Sequence, residues 1–487
     1  MPLWSGTVDE FDLIVIGAGA GTRVAASAAN RGLQVALVER SRLGGICLNT
    51  GCIPSKILIH PADVLRTIQD SAATGIKAAQ AGIDFAMVME RMRLYVERSR
   101  TSLEDAVSAD ENVHLYRGTA EFTDDYIIQV GEDLISAPKI AIAAGARTLV
   151  PLIPGLVDAG YLDHASLLNL REPPQSLIII GGGYIGCEFA HFFSAAGTEV
   201  TLISRSSRIL PDEEPEMSEI ASRTLSGHIN LHAGREVIKV VLEGGRKAVY
   251  ARNKADGKTA RFEAEEILLA AGRRPNTDLL KPEKTGVETD DRGWIKVDEY
   301  LETSRPGIWA FGDILGKHMF RHVASYCADV ASNNILDEEK EKADFHAVPH
   351  AVFIHPTIAS VGLREDEAVA AGYDVLVGRS HYSEIAMGYV LGEKDGFAKV
   401  IVEDETERIL GCSVIGPEAP ALIQQVTFLM NAICQSMAPI ALSQVIHPTV
   451  SEVLVRAFGS LERSKIQLDL ALKEHDEAYR KRTVPRD

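Results

Sequence analysis

The chain has 487 residues, 46% of them hydrophobic, enough to fill about two to four cores rather than one. A formal net charge of −18 sets its mean field against phosphate backbones and anionic membranes, which excludes nucleic acid as a partner and requires any bound phosphate to be held locally. No apolar run nears the roughly 20 residues of a membrane helix, and Asp9, Glu10 and Asp12 stand where a secretory leader would carry positive charge, so a cytoplasmic protein is expected.

From Phe11 to Arg40 the pattern is apolar strand, glycine-rich turn, alanine-rich helix, then a second strand at Val35 to Val38 closed by Glu39, which is one βαβ unit. Gly17, Gly19 and Gly21 in that turn place backbone N–H groups and a helix start where a pyrophosphate can sit, and Glu39 can accept from both hydroxyls of an adenosine ribose. Thr22 departs from the pattern, because a third glycine usually stands there to allow close helix–strand packing. Residues 54–73 and 85–107 read as helices, and 113–144 as short strands that end on Gly145. Pro151, Pro154, Pro173 and Pro174 mark a boundary near residue 150.

The same βαβ order recurs from Ser176 to Ser204, with Gly181, Gly183 and Gly186 around Tyr184 in the turn. The second strand does not end in an acid; Ser204, Arg205, Ser206, Ser207 and Arg208 follow it. A carboxylate would repel a 2′-phosphate, whereas Arg205 and Arg208 would hold one, so NADP(H) is favoured over NAD(H). A helix at 323–336, a charged linker at 337–344 and mixed elements to Phe458 come next. The charged tail from Glu462 to Arg482 reads as a solvated terminal helix.

Six cysteines in a chain of this size do not make a disulfide scaffold, and Cys47 and Cys52 are set apart by their spacing. On a regular helix, residues five apart lie about 8–9 Å from each other at Cα, too far for a disulfide. Gly51 permits the distortion that closes the gap, and Pro54 suits the first turn of a following helix whose N-terminus lowers a thiol pKa. Zinc would need two further ligands that this segment lacks, so no metal is expected and redox function is preferred. Cys187, Cys327, Cys412 and Cys434 lie in apolar surroundings and read as buried thiols.

The run from Gly44 through Gly45, Cys47, Gly51 and Cys52 to Lys56 resembles the active-site segment of the class I pyridine nucleotide–disulfide oxidoreductases, the family of dihydrolipoyl dehydrogenase, mycothione reductase, glutathione reductase and mercuric reductase. The likeness extends from Phe11 to Phe458. Ala270 to Thr277, containing Gly272, resembles the connector between nucleotide modules; Thr303 to Asp313, ending in Gly312 and Asp313, resembles the second FAD segment; Val445 to Glu452 resembles the segment of the catalytic His and Glu. The resemblance implies an α/β chain with two Rossmann-like nucleotide-binding domains, for FAD and NAD(P), plus a C-terminal α+β dimerisation domain. Its expected divisions are 1–150 and 277–346 for FAD, 151–276 for NAD(P), 347–460 for the interface and 461–487 for a charged tail. It also implies that Cys52 exchanges electrons with the flavin and Cys47 with the substrate. His447 would be the general acid–base oriented by Glu452, Lys56 and Glu188 would pair beside the flavin, and Tyr184 would gate the nicotinamide pocket. A homodimer is implied in which His447 serves the other subunit's site, with apolar 348–363 and the stretch to Phe458 at the interface and Arg364 onward as its polar edge.

Glutathione reductases meet their substrate's carboxylates with arginines at two positions that align here with Ser27 and Asp329, which disfavours glutathione. The tail lacks the cysteine pair expected of mercuric reductase. Dihydrolipoyl groups, small or carried on a lipoyl protein, are the first expected substrate. A mycothione reductase-like NADPH-dependent reduction of a low-molecular-weight disulfide is the second, and a flavoprotein redox sensor with little turnover is the reading from another class.

Overall fold

In the computed structural model, which describes residues 8–78 and 81–473, each βαβ pattern becomes part of its own parallel sheet. The first sheet runs 308–310, 140–142, 13–16, 35–39, 113–117 across its width, all neighbours parallel. Its central strand Leu13–Ile16 is covered on both faces, as its unbroken apolar run requires. The strand Ile308–Ala310 arrives only after the chain has built the second sheet, so the two nucleotide-binding units are interleaved. The second sheet orders 230–232, 199–203, 176–180, 266–269, again parallel.

Helix Gly21–Ala29 lies close on the first sheet because its inner positions are Gly21, Ala25, Ala28 and Ala29 around Val24. A Cβ at Gly21 would sit 2.8 Å from Val15 Cγ1. Gly21 therefore makes the close approach for which Thr22 looked unsuited, while Thr22 turns its hydroxyl back to Gly19 O at 3.0 Å. Beyond Gly51 the chain forms helix Cys52–Asp70, which begins at the second cysteine, two residues before Pro54. Helix Phe85–Ser108 follows, started by Asp84, whose carboxylate accepts from Met87 N at 3.0 Å.

The C-terminal unit is an antiparallel sheet ordered 349–352, 358–362, 409–415, 397–403, 375–381, 462–463. Two expectations change here. Ile358, Ala359 and Val361, in the apolar stretch assigned to the dimer surface, are buried in this sheet. Within the stretch to Phe458, expected at the same interface, Phe428, Ile433, Leu442 and Ile446 are exposed. The tail, expected to be helical from its start, first pairs Glu462 and Arg463 with Val377 and Leu376 as an edge strand, and only 465–473 are helical; its remainder, 474–487, lies outside the described residues. Among the described residues no helix is long and apolar enough to cross a membrane.

Lys399, 2% exposed, ties this unit to the second parallel-sheet unit through Glu214 at 2.8 Å, while Glu365 of its own unit meets it at 2.8 Å. Ser464 Oγ donates to the other Glu365 oxygen at 2.7 Å, so the chain after the edge strand is tied into the same cluster.

Candidate active site

A cavity of about 1520 Å³ opens where the first sheet, the helix after the cysteines and the second glycine turn converge. That exceeds the usual size of a pocket for a drug-sized ligand, roughly 300–1,000 Å³, and suits a dinucleotide. Its floor at one end is backbone. A Cβ at Gly17 would lie 2.3 Å from Ala143 O, and one at Gly45 would lie 2.8 Å from Gly19 Cα, so side chains there would fill the cradle. Gly145 and Gly312, both at positive φ, line the same space with Asp313. Glu39 is 8% exposed and holds Ala18 N at 2.8 Å, which fixes its carboxylate beside the first turn. These residues fit FAD: glycine backbone for the diphosphate, Glu39 for the adenosine ribose, Asp313 for the ribityl chain.

Cys47 sits on the short helix Gly45–Asn49 and Cys52 opens the next, with the reversal at Gly51 between them. That break sets Cys47 and Cys52 as interacting neighbours on the wall of one cavity. The hydrogen bond from Cys47, reinforced by the Lys56 charge, pulls the Cys52 thiol down to about 7 against the opposing effect of burial. The same hydrogen bond, with burial, pushes Cys47 up. Two thiols in one segment thus become unlike, one a thiolate near neutrality and the other a proton carrier.

Lys56 stands one turn further along that helix and meets Glu188 at 2.6 Å. Glu188 is buried, which raises its carboxyl pKa, with Lys56 pulling the other way; its second oxygen accepts from Phe353 N at 3.1 Å. Tyr184, at the start of the Glu188 helix, packs on Phe320 with ring centroids 6.3 Å apart. Phe320 in turn stacks with both His322 and His350. His350 Nε2 is 2.7 Å from the Glu213 carboxylate, which carries the imidazole above its ordinary pKa in spite of burial. Arg273 reaches Asp313 at 3.1 Å and also lines the cavity.

Other expected residues lie elsewhere. Gly181, Gly183 and Gly186 form the second turn, where a Cβ at Gly186 would fall 2.0 Å from Gly181 O. Gly182 covers buried Ser204, Arg205 is exposed beyond it, and Arg208 donates to Pro211 O at 3.3 Å. Gly272, at positive φ, turns the connector into Arg273 and accepts from Leu149 N through its carbonyl. His447 is 70% exposed, its Nδ1 2.9 Å from Glu452 Oε1, and neither residue lines the cavity of Cys47. Cys434 is exposed, contrary to expectation, whereas Cys187, Cys327 and Cys412 are buried.

Sequence reasoning did not single out Phe320, His350, Glu213 or Arg273 for roles at this site. Arg273 was within reach of it, since it adjoins Gly272 in a segment already noted, but the Phe320–His350 stack joins residues 30 apart through tertiary packing alone.

The family model described as pyridine nucleotide-disulphide oxidoreductase matches residues 11–328, and that of the family's dimerisation domain matches 348–458. A mercuric reductase of Staphylococcus aureus is 36% identical over 87% of this chain and 77% of its own. A dihydrolipoyl dehydrogenase of Geobacillus stearothermophilus is 35% identical over 92% of this chain and 95% of its own. The solved structure of the HOCl-induced flavoprotein disulfide reductase RclA from Escherichia coli superposes with a TM-score of 0.81 at 30% identity, covering 92% of this chain and 99% of the other.

Proposed function

The chain belongs to the pyridine nucleotide-disulphide oxidoreductases, a flavin-dependent family of enzymes, and from that premise we propose that it passes electrons between NADPH and a small disulfide or dithiol by way of Cys47 and Cys52. The observation that carries this reading is the placement of Cys47 and Cys52 on either side of the break at Gly51, beside the Lys56–Glu188 bond in the cavity fitted to the dinucleotide. Bound FAD supplies the two-electron relay between nicotinamide and the Cys47–Cys52 bond.

In the reductive direction the dithiol form attacks substrate RS–SR. The Cys47 sulfur, freed of its proton, forms a mixed disulfide and expels RS⁻. The partner subunit's His447 gives that thiolate its proton, and Glu452 holds its tautomer. Cys52 thiolate then attacks the Cys47 sulfur, closing the internal disulfide and releasing the second thiolate. The sum is NADPH, a proton and RS–SR giving NADP⁺ and two RSH. Arg205 and Arg208 read the 2′-phosphate, Tyr184 covers the nicotinamide position, and the homodimer supplies His447 across its interface. The cytoplasm, where the nicotinamide pool lies, is the proposed compartment.

Dihydrolipoyl groups are the first substrate proposed, because the dihydrolipoyl dehydrogenase relative matches across nearly its whole length. Reduction of a low-molecular-weight disulfide is the second reading, favoured by the Arg205–Arg208 segment. A redox sensor with little turnover leaves the His447–Glu452 bond without a role. A steady-state panel of lipoamide, oxidised glutathione and coenzyme A disulfide, each with NADH and NADPH, tests the proposal. Turnover with one class that vanishes in Cys47→Ser supports it; slow, equal rates in wild type and His447→Gln favour the sensor.

A further inference from the structure

In a chain of net charge −18, arginines without an acidic partner call for explanation. Arg23, Arg147, Arg223 and Arg379 each hold a carboxylate at 2.5–2.9 Å. Arg40, Arg42, Arg91, Arg98 and Arg321 line the cavity that contains Cys47, and among the described residues their side chains form neither an ion pair nor a hydrogen bond; Arg40 and Arg42 follow Glu39 at the end fitted to the adenosine, which leaves Arg91, Arg98 and Arg321. The acids of the cavity do not neutralise them. Glu39 is taken up by Ala18 N and Ser41, Glu188 by Lys56, and Asp313 by Arg273.

The placement follows from the helices. Residues 91, 94, 95 and 98 fall on one face of helix Phe85–Ser108, at spacings of three, four and seven. That helix packs against Gly45–Asn49, the helix of Cys47. Between the two arginines the face exposes Leu94 and Tyr95, at 62% and 51%. Arg321 opens helix Arg321–Leu336 from another side of the same cavity, and its charge favours the Cys47 thiolate. The wall beside the substrate-facing sulfur therefore offers guanidinium groups flanking an apolar strip.

We infer that the entrance beside Cys47 is an anion-recognition site, in which Arg91, Arg98 and Arg321 receive the carboxylate or phosphate of a small disulfide with an apolar body. The inference rests on the disulfide-exchange reading above and narrows it: an anionic disulfide is preferred to a neutral one, which favours the low-molecular-weight disulfide over a lipoyl amide as substrate. The guanidinium fork suits both oxyanions, and Leu94 and Tyr95, exposed between Arg91 and Arg98, offer contact to the apolar body. Ser27 and Asp329 separate this arrangement from the one expected for glutathione. Asp329 is held by Arg23 at 2.9 and 2.7 Å, so that region offers no free cation of its own.

Lipoate and lipoamide test this directly, since they share a dithiolane and differ only in a carboxylate against an amide. With the FAD-loaded dimer and NADPH, kcat/KM for lipoate should exceed that for lipoamide, and added salt should lower the ratio. Arg91→Ala and Arg321→Ala should each reduce that ratio about tenfold, and Arg91→Glu should reduce it further. Coenzyme A disulfide, with phosphates in place of a carboxylate, shows which oxyanion gains most from the arginines. A ratio near one in wild type, or unchanged in all three variants, overturns the inference while leaving disulfide exchange intact. FAD content per subunit identifies the competing source of the same chemistry: loss of flavin from the variants assigns the arginines to the cofactor's diphosphate and overturns the substrate role. Turnover of neither compound nor coenzyme A disulfide would defeat the disulfide-exchange reading, and this one with it.

Discussion

The Lys56 ammonium lies 2.6 Å from the Glu188 carboxylate, joining the helix that starts at Cys52 to the helix that starts at Tyr184. Through this bond the segment of the two cysteines and the segment proposed to admit nicotinamide share one charged pair. Lys56 also lowers the Cys52 thiol, so its removal should be readable at the sulfur.

Cys52 loses its proton as pH rises through about 7, so the long-wavelength absorbance of a thiolate against oxidised flavin should grow across that range in two-electron-reduced enzyme. Lys56→Met removes a cation that favours the thiolate, and the midpoint should move to higher pH. Cys52→Ser should abolish the band. A pH titration of absorbance checks both; an unmoved midpoint in Lys56→Met would remove the lysine from this role.

His447 is exposed and lies outside the cavity of its own chain. His447→Gln should cut kcat about a hundredfold or more, as loss of a general acid–base does. Refolding an equal mixture of Cys47→Ser and His447→Gln subunits should restore about a quarter of the wild-type sites by random pairing in a two-fold dimer. No recovery, with mixed dimers demonstrated by mass, would place the base within one chain.

Arg205 is exposed beyond buried Ser204, whereas Arg208 is partly engaged by Pro211 O. Arg205→Glu should therefore raise KM for NADPH about tenfold or more while leaving NADH as good or better. Equal effects on the two coenzymes would mean that this arginine does not read the 2′-phosphate.

Lys399→Met would leave Glu214 buried without its cation and Glu365 with only Arg379, at 3.3 Å, at a cost of about 3–5 kcal/mol at neutral pH. Burial pushes Glu365 up, but Lys399 and Ser464 outweigh it and hold the carboxyl below 4.5, so in the wild type its contribution is complete above that value and fades as acid is added. Without Lys399 both carboxyls bind protons more readily when folded, so the variant's deficit should shrink as pH falls. Thermal melts at about pH 7.5 and about pH 5 measure this; a deficit that widens toward acid would contradict it.

What could be read in advance was whatever demands a particular backbone. Gly17, Gly45 and Gly186 sit where a Cβ would collide with main chain, and such positions leave a mark in sequence. The cysteine segment was legible for the same reason, since a five-residue spacing closes only with the break at Gly51. Apolar content was less informative. It marked Ile358 to Val361 as needing cover but could not tell this chain's own sheet from a partner's. Interleaved charges and leucines after Glu462 suggested a helix, and the pairing of Glu462 with Val377 is decided by a strand 85 residues earlier. His350 was invisible because Phe320 and Glu213 become its neighbours only in three dimensions.

The two-residue strand Glu462–Arg463 occupies the outer rim of the antiparallel sheet, alongside 375–381. Without it that rim would offer unpaired amides and carbonyls to any extended peptide nearby, and the charges of Glu462 and Arg463 make it a poor template for further growth. A short piece of chain should thus guard against runaway self-association, and a version cut before residue 462 should precipitate at concentrations the full chain tolerates.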